Sequence, residues 1–156
     1  EYFEAINWGR NSRLDSINAR VVLERLKNIK TIIEKRRALA EIYFHELEEL
    51  QKNGFITLPS KFSTNSNDIS TFQNFEIQAK NRDSLKAFLT HNKVGTIIQW
   101  GGYSIAHFDK LGFDINQFPK TKDLFENLLL LPMNHMLKEV EVKYVSKLIK
   151  NFYKKI

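Results

Sequence analysis

Gly9-Arg10-Asn11-Ser12-Arg13-Leu14-Asp15-Ser16-Ile17-Asn18-Ala19 is the stretch on which the reading of this chain turns. Ser12 and Asp15 stand at the S-x-x-D spacing of a capping box, so the first turn of a long helix is expected here. Asn11 immediately precedes that turn with Gly9 close by, which aims an amide beside backbone N–H groups that have no carbonyl partner. A helix N-terminus carries about half a positive charge, and Arg10 and Arg13 add to it, so an anion such as phosphate suits the arrangement. A plainer reading of the same residues has Asn11 and Ser12 capping a helix while the arginines face water.

Working outward, apolar residues recur at Leu26, Ile29, Ile33, Ala40, Tyr43, Leu47 and Leu50, in steps of three and four, with Arg36 in one place where an apolar residue is due. That spacing marks one face of a helix. The pattern reaches back through Leu14, Ile17 and Val21, and so long a helix is expected to bend near Asn28. Asn53-Gly54 ends it, because the residue after the last turn must take positive φ. Ser60 to Ser70, rich in Ser, Asn and Thr, reads as an exposed loop. Phe55 to Leu58 and Thr71 to Ala79 read as strands. Asp83 is expected to cap a short helix carrying Leu85, Phe88 and Leu89, and a strand is expected from Val94 to Trp100, ending in Gly101-Gly102. Leu124 to Leu131 reads as helix, as strand, or as one running into the other, and Pro132 closes it. The last helix, Lys138 to Tyr153, is expected to bury Val142, Val145, Leu148, Ile149 and Phe152. The fold class expected is α+β: a helical segment over 1–52, then a small α/β domain over 53–156, whose mixed or antiparallel sheet carries covering helices.

With 156 residues, 42% of them hydrophobic and 12% aromatic, the chain has enough apolar surface for one packed core. Twelve Phe against six Gly and three Pro exclude a low-complexity chain. Cysteine is absent and the four His lack metal-ligand spacing, which argues against a disulfide framework and against zinc. The longest apolar run, Leu128 to Met133, falls far short of the ~20 residues of a membrane span, so no membrane is expected and a cytoplasmic location is. The net charge of +6 invites a nucleic-acid reading. Lys35-Arg36-Arg37 is interspersed with Glu34 and Glu41, however, and Lys143, Lys147, Lys150, Lys154 and Lys155 decorate a terminal helix, which reads as solvated helix faces and no nucleic-acid partner. A nucleotide-bearing substrate is the other use for such charge. The chain opens Glu1-Tyr2-Phe3 without Met and reads as a fragment, a processed product or a trimmed form.

Gly9-x-Asn11-Ser12-Arg13-Leu14-Asp15-x-Ile17-x-Ala19, followed by Arg36-Arg37-x-x-Ala40-x-x-Tyr43-x-x-x-Leu47, resembles the DegT/StrS-type sugar aminotransferase family. Arg82-Asp83-x-Leu85, Val94-Gly95-Thr96 and Leu131-Pro132-Met133-Asn134 are similar to that family's closing segments, in the same order. The resemblance covers nearly the whole chain. It implies the C-terminal part of a fold-type-I, pyridoxal-phosphate-dependent homodimer that moves an amino group, usually from glutamate, to a keto group on a nucleotide-linked sugar, as in polysaccharide and O-antigen synthesis. The cofactor acts as the electron sink, while the protein supplies a Schiff-base lysine, an acid and a phosphate cradle. The resemblance places the lysine and the acid in a large domain upstream of Glu1, so no catalytic residue is assigned here and most of the cofactor's contacts fall outside this chain. One contact carries over: the family's Gly-x-Asn asparagine, matching Asn11, reaches the cofactor phosphate of the neighbouring subunit. Arg13 matches a basic position suited to the sugar nucleotide or the donor carboxylate.

Two departures stand out. Asn18 replaces a usual glutamine, and Arg20 replaces an alanine on a helix that often faces the dimer. At the end of the strand expected from Val94, Trp100-Gly101-Gly102-Tyr103-Ser104-Ile105-Ala106-His107 stands where many members have an aromatic, proline and histidine run. Trp100 is a candidate for stacking on a sugar or base and His107 for the family histidine; a core Trp and a surface His are the alternatives. A second reading is a non-enzymatic helical dimerisation or interaction module, packed through the long helix. With its apolar face bare, the isolated chain is expected to self-associate.

Overall fold

The computed structural model describes residues 14–61 and 70–155. Helix α1, Ser16–Leu26, is followed after a two-residue break by α2, Ile29–Lys52. Strands β1, Ile56–Thr57, and β2, Phe75–Ala79, come next, then α3, Arg82–His91. A run of short 3₁₀ turns leads to α4, Pro119–Asn127, which passes directly into β3, Leu128–Leu131, and α5, Glu139–Tyr153, closes the chain. The sheet is antiparallel with order β1-β2-β3, Phe75 lying opposite Leu131 and Ile56 opposite Ala79.

The bend expected near Asn28 is present: Asn28 leaves helical geometry at φ −111°, ψ 12°, and its side chain caps nothing. At the other end α2 stops in a Schellman motif. Gly54 sits at φ +69°, while the Phe55 N–H reaches Leu50 O at 3.0 Å and the Gly54 N–H reaches Gln51 O at 2.9 Å. Between these points α2 buries Leu39, Ala40, Tyr43, Phe44, Leu47 and Leu50 and turns Glu41, Glu48 and Glu49 outward. Each fully buried residue of this size contributes about 1.5–3 kcal/mol. That face packs on α5 and on the sheet, where Phe75, Ile77 and Ala79 are wholly enclosed.

The four leucines of β3 are all buried, which explains an unbroken apolar run in a strand. Leu129 and Leu131 belong to the main core, whereas Leu128 and Leu130 are buried outside it, as are Phe125 and Ala106. The third of the readings given for Leu124 to Leu131, helix running into strand, is the one realised. Arg82 secures this seam by donating from Nη1 to Phe125 O at 3.1 Å and Leu128 O at 3.3 Å.

Three expectations need correction. Val94 to Trp100 is not a strand: Ile97 makes an isolated bridge to Leu130, and the chain then turns through Gln99–Gly102, whose positive-φ residues cannot continue a ladder. The strand expected from Thr71 begins only at Phe75, because Phe72 takes φ +43°. Asp83 does not cap α3; Asn81 holds the N-cap position in a left-handed conformation, and Asp83 lies in the first turn beside Arg82. In α5, Phe152 is half-buried and Tyr153 takes the deeper place, its hydroxyl donating to Lys80 O at 2.7 Å. Burial pushes that phenol up to about 12.

Helix α1 differs from the rest. None of its residues is buried, and Ile17, Val21, Val22, Leu23 and Leu26 present side chains to solvent, as Leu14 before it and Ile29 after it also do. No helix among the described residues is long and apolar enough to cross a membrane.

Candidate functional site

An aromatic groove of about 770 Å³ lies over α4, walled by the turns that follow Ile97. Its construction starts at the sheet edge. Ile97 exchanges two hydrogen bonds with Leu130, at 3.2 and 2.8 Å, and this last anchor sets where the chain departs. Trp100 at φ +48°, Gly101 at +66° and Gly102 at +87° then occupy left-handed backbone in succession. Glycine enters that region freely; tryptophan does so only under strain, so neighbours must hold it there. Phe125 is the neighbour in view, its ring 6.2 Å from the Trp100 indole and 20° from parallel. The indole nonetheless remains 73% exposed.

His107 comes from the next turn, Ile105–His107, which Ser104 opens. The Ser104 N–H donates to His107 Nδ1 at 3.0 Å, and the Ser104 hydroxyl lies 2.9 Å from the same nitrogen. A backbone amide can only donate, so Nδ1 is an acceptor and the proton of the neutral ring sits on Nε2. The imidazole is edge-on to Tyr103 at 5.6 Å and to Phe125 at 5.9 Å. Tyr103 in turn stacks on Phe108 at 6.3 Å.

Of the residues singled out in the sequence, Trp100 and His107 are thus brought together, each against Phe125. Their positions differ. Trp100 forms the wall of the groove, while His107 stands behind Tyr103 and Phe125 and does not line it. Tyr103, Phe108 and Phe125 complete the wall and were not singled out in the sequence. The available signal was the density of aromatic residues after Gly101-Gly102.

Asn11 and Arg13 lie outside the described residues, as does Ser12. The helix they precede is described, and it starts one turn later than the Ser12 box requires. Asp15 is the N-cap of α1, with one carboxylate oxygen 2.8 Å from the Asn18 N–H and the other 2.5 Å from the Asn18 amide. The hydrogen bond from the Asn18 backbone, followed by that from its side chain, holds the Asp15 carboxyl below its ordinary range. The mouth of α1 therefore already holds an anion of its own. A phosphate seated on the Asn18 N–H would have to displace the Asp15 carboxylate.

Among the described residues no three His, Asp or Glu converge on a position that would hold a metal ion. A second depression, of about 420 Å³ at the α1–α2 break, is lined by Arg25, Lys35 and His135 together with Glu24.

The model of the DegT/DnrJ/EryC1/StrS aminotransferase family matches residues 1–150. A pleiotropic regulatory protein of Geobacillus stearothermophilus is 30% identical over 148 residues, which cover 94% of this chain and 39% of that protein. The dTDP-3-amino-3,6-dideoxy-alpha-D-galactopyranose transaminase of Aneurinibacillus thermoaerophilus is 24% identical over 96% of this chain and 39% of its own length. In fold, the chain matches the crystal structure of a DegT DnrJ EryC1 StrS aminotransferase from Brucella abortus with a TM-score of 0.72, at 24% identity, over 97% of this chain and 39% of that one. The chain thus spans about 39% of the length of these relatives.

Proposed function

Because the chain belongs to the DegT/DnrJ/EryC1/StrS aminotransferase family, we propose that it forms the C-terminal portion of a pyridoxal-phosphate-dependent enzyme that transfers an amino group to a keto group of a nucleotide-linked sugar. Glutamate is the proposed donor, a homodimer the proposed assembly, and cytoplasmic polysaccharide or O-antigen precursor synthesis the proposed setting. The observation that carries this reading is the family match, which runs along almost the entire chain. The transaminase named among its relatives acts on a dTDP-linked amino sugar, which supports the substrate class.

Pyridoxal phosphate, when bound, supplies the electron sink for amino transfer. This chain contributes binding and orientation. Asn11 is proposed to donate its side-chain amide to the cofactor phosphate in the partner subunit, and Arg13 to pair its guanidinium with a phosphate or carboxylate of a substrate. The Asp15 cap sets where α1 begins, four positions after Asn11 in the sequence. Trp100 is proposed to meet the substrate in the groove, with His107 holding Tyr103 and Phe125 in place behind it. Residues 1–52 are proposed as the helical link to a larger domain and 53–156 as the small domain. The bare apolar side chains of α1 favour a surface that is covered in the assembled enzyme, and on their own they would equally serve a dimerisation module.

The test is amino transfer in the intact enzyme: glutamate is converted to 2-oxoglutarate only when a keto nucleotide sugar is supplied. No transfer to any such acceptor, together with cofactor-independent dimerisation through α1, would favour the interaction module. Asn11→Ala is expected to weaken cofactor retention, since a hydrogen bond to a charged group contributes about 1.5–3 kcal/mol. Unchanged cofactor affinity after dialysis would remove Asn11 from the site.

A further inference from the structure

On the nucleotide-sugar reading just given, we infer that the Trp100 groove receives the nucleobase of the substrate, stacked on the outward face of the Trp100 indole. Neither the sugar ring nor the phosphates belong there. The first reason is charge. Apart from Gly101 and Ser104 the wall is made of Trp100, Tyr103, Ile105, Phe108, Leu111 and Phe125, and among the described residues no Lys, Arg, Asp or Glu lines it. A phosphate entering it would lose water without gaining a countercharge. Cations that line depressions stand elsewhere, Arg25 and Lys35 at the α1–α2 break and Lys147, Lys150 and Lys154 where α5 meets the end of α2.

Hydrogen-bonding capacity is the second reason. Ser104 is 9% exposed and its hydroxyl is engaged with His107, which leaves the Tyr103 phenol as the other side-chain hydroxyl on the wall. A hexose carries several hydroxyls, each of which needs a partner once out of water, whereas the two faces of a base need none. The third reason is shape. Phe125 lies beneath the indole within 20° of parallel, so the free face of Trp100 extends an existing stack and accepts one more planar ring. A strained, left-handed backbone that keeps a large aromatic 73% exposed is what a ligand clamp requires and what a core residue avoids.

The test is calorimetric titration of the 156-residue chain, at matched ionic strength, with the diphosphates of thymidine, uridine and guanosine, with glucose 1-phosphate and with inorganic pyrophosphate. At least one nucleoside diphosphate is expected to bind, with glucose 1-phosphate and pyrophosphate at least about tenfold weaker. Trp100→Phe keeps a stacking face and should stay within about threefold, whereas Trp100→Gly, which suits the left-handed backbone and preserves the fold, should weaken binding roughly 10- to 100-fold. Equal binding of glucose 1-phosphate or pyrophosphate, no binding of any nucleoside diphosphate, or full affinity in Trp100→Gly would each overturn the assignment. The amino-transfer assay separates this from the reading it rests on. Transfer with nucleotide binding indifferent to Trp100 removes the base from the groove and leaves the aminotransferase standing; Trp100-dependent binding without transfer does the opposite.

Discussion

Replacing Arg82 by Met is expected to cost about 2–4 kcal/mol, since one guanidinium holds the seam where α4 becomes β3. Its side chain is 12% exposed, and Nη1 donates to Phe125 O at 3.1 Å and to Leu128 O at 3.3 Å. These carbonyls lie where α4 ends and have no further helical amide to bond. Hydrogen bonds from a charged donor contribute about 1.5–3 kcal/mol each, and two that share one nitrogen amount to less than twice that. The Asp83 carboxylate, also close to Arg82, changes little: its own side chain is 80% exposed, so water screens it and replaces Arg82 as its partner, and the pair contributes about 0–1 kcal/mol. Met preserves much of the stem's packing, so the loss is mainly polar. For a chain of this size each 1 kcal/mol moves the melting temperature by roughly 2–4 °C, which predicts a fall of about 4–16 °C. Thermal melts and urea titrations of Arg82→Met and Asp83→Asn measure it. Because Phe125 also lies under Trp100, the near-ultraviolet signal of the indole should loosen before the global transition. A melt within about 2 °C of the parent, or an Asp83→Asn penalty equal to that of Arg82→Met, would refute the account.

Tyr43→Phe removes the hydroxyl that donates to Pro132 O at 2.9 Å in a fully enclosed site, and should lower the stability measured by urea denaturation by about 1–3 kcal/mol without changing the transition's slope. The Glu46 carboxyl is held below its ordinary 4.5, first by its hydrogen bond from Lys150. A depressed carboxylate contributes stability that is fully present above the unfolded value and lost as pH falls through the folded one. Urea midpoints of Glu46→Gln and the parent should therefore differ most above about pH 5 and converge under acid; a gap that persists at pH 2 would contradict the linkage. Ile17→Lys with Leu23→Lys should reduce self-association of the chain in sedimentation velocity, whereas a parent that is monomeric at every concentration would show that the bare face of α1 drives nothing.

The helices were legible because their apolar spacing is decided locally. In α2 the steps from Ala40 to Leu50 coincide with the buried face, and Asn53-Gly54 marks its end by a conformational need that glycine meets. Over Leu14 to Ile29 the same pattern also marks a helix, and its apolar residues meet no partner among the described residues, as a bare face requires. Periodicity identifies which face is apolar and is silent on what covers it. Strand boundaries failed where non-glycine residues, Phe72 and Trp100, adopt left-handed backbone that no propensity anticipates. The groove was partly legible: Trp100 stood out in the sequence, whereas His107, which also stood out, lies outside the lining, and Phe125 joins both from another element about twenty residues on, by packing alone.

The two regions proposed to touch substrate and cofactor differ in how the fold supports them, and that decides how each would fail. The Trp100 wall is tied to the sheet through Ile97 and Leu130 and to α4 through Phe125, whose own carbonyl is held by Arg82. Damage to that seam reaches the groove through packed side chains. Asn11 lies outside the described residues, four positions before the Asp15 cap, and the Asp15–Asn18 pair is the described feature that follows it in sequence. Asn18 stands where the resemblance leads one to expect glutamine, a longer side chain. The shorter amide closes on Asp15 across a single turn and fixes the helix start at Ser16, which takes the place of the Ser12 box. If that start is what sets the reach of Asn11, Asn18→Gln should perturb cofactor retention while leaving nucleotide binding in the Trp100 groove unchanged.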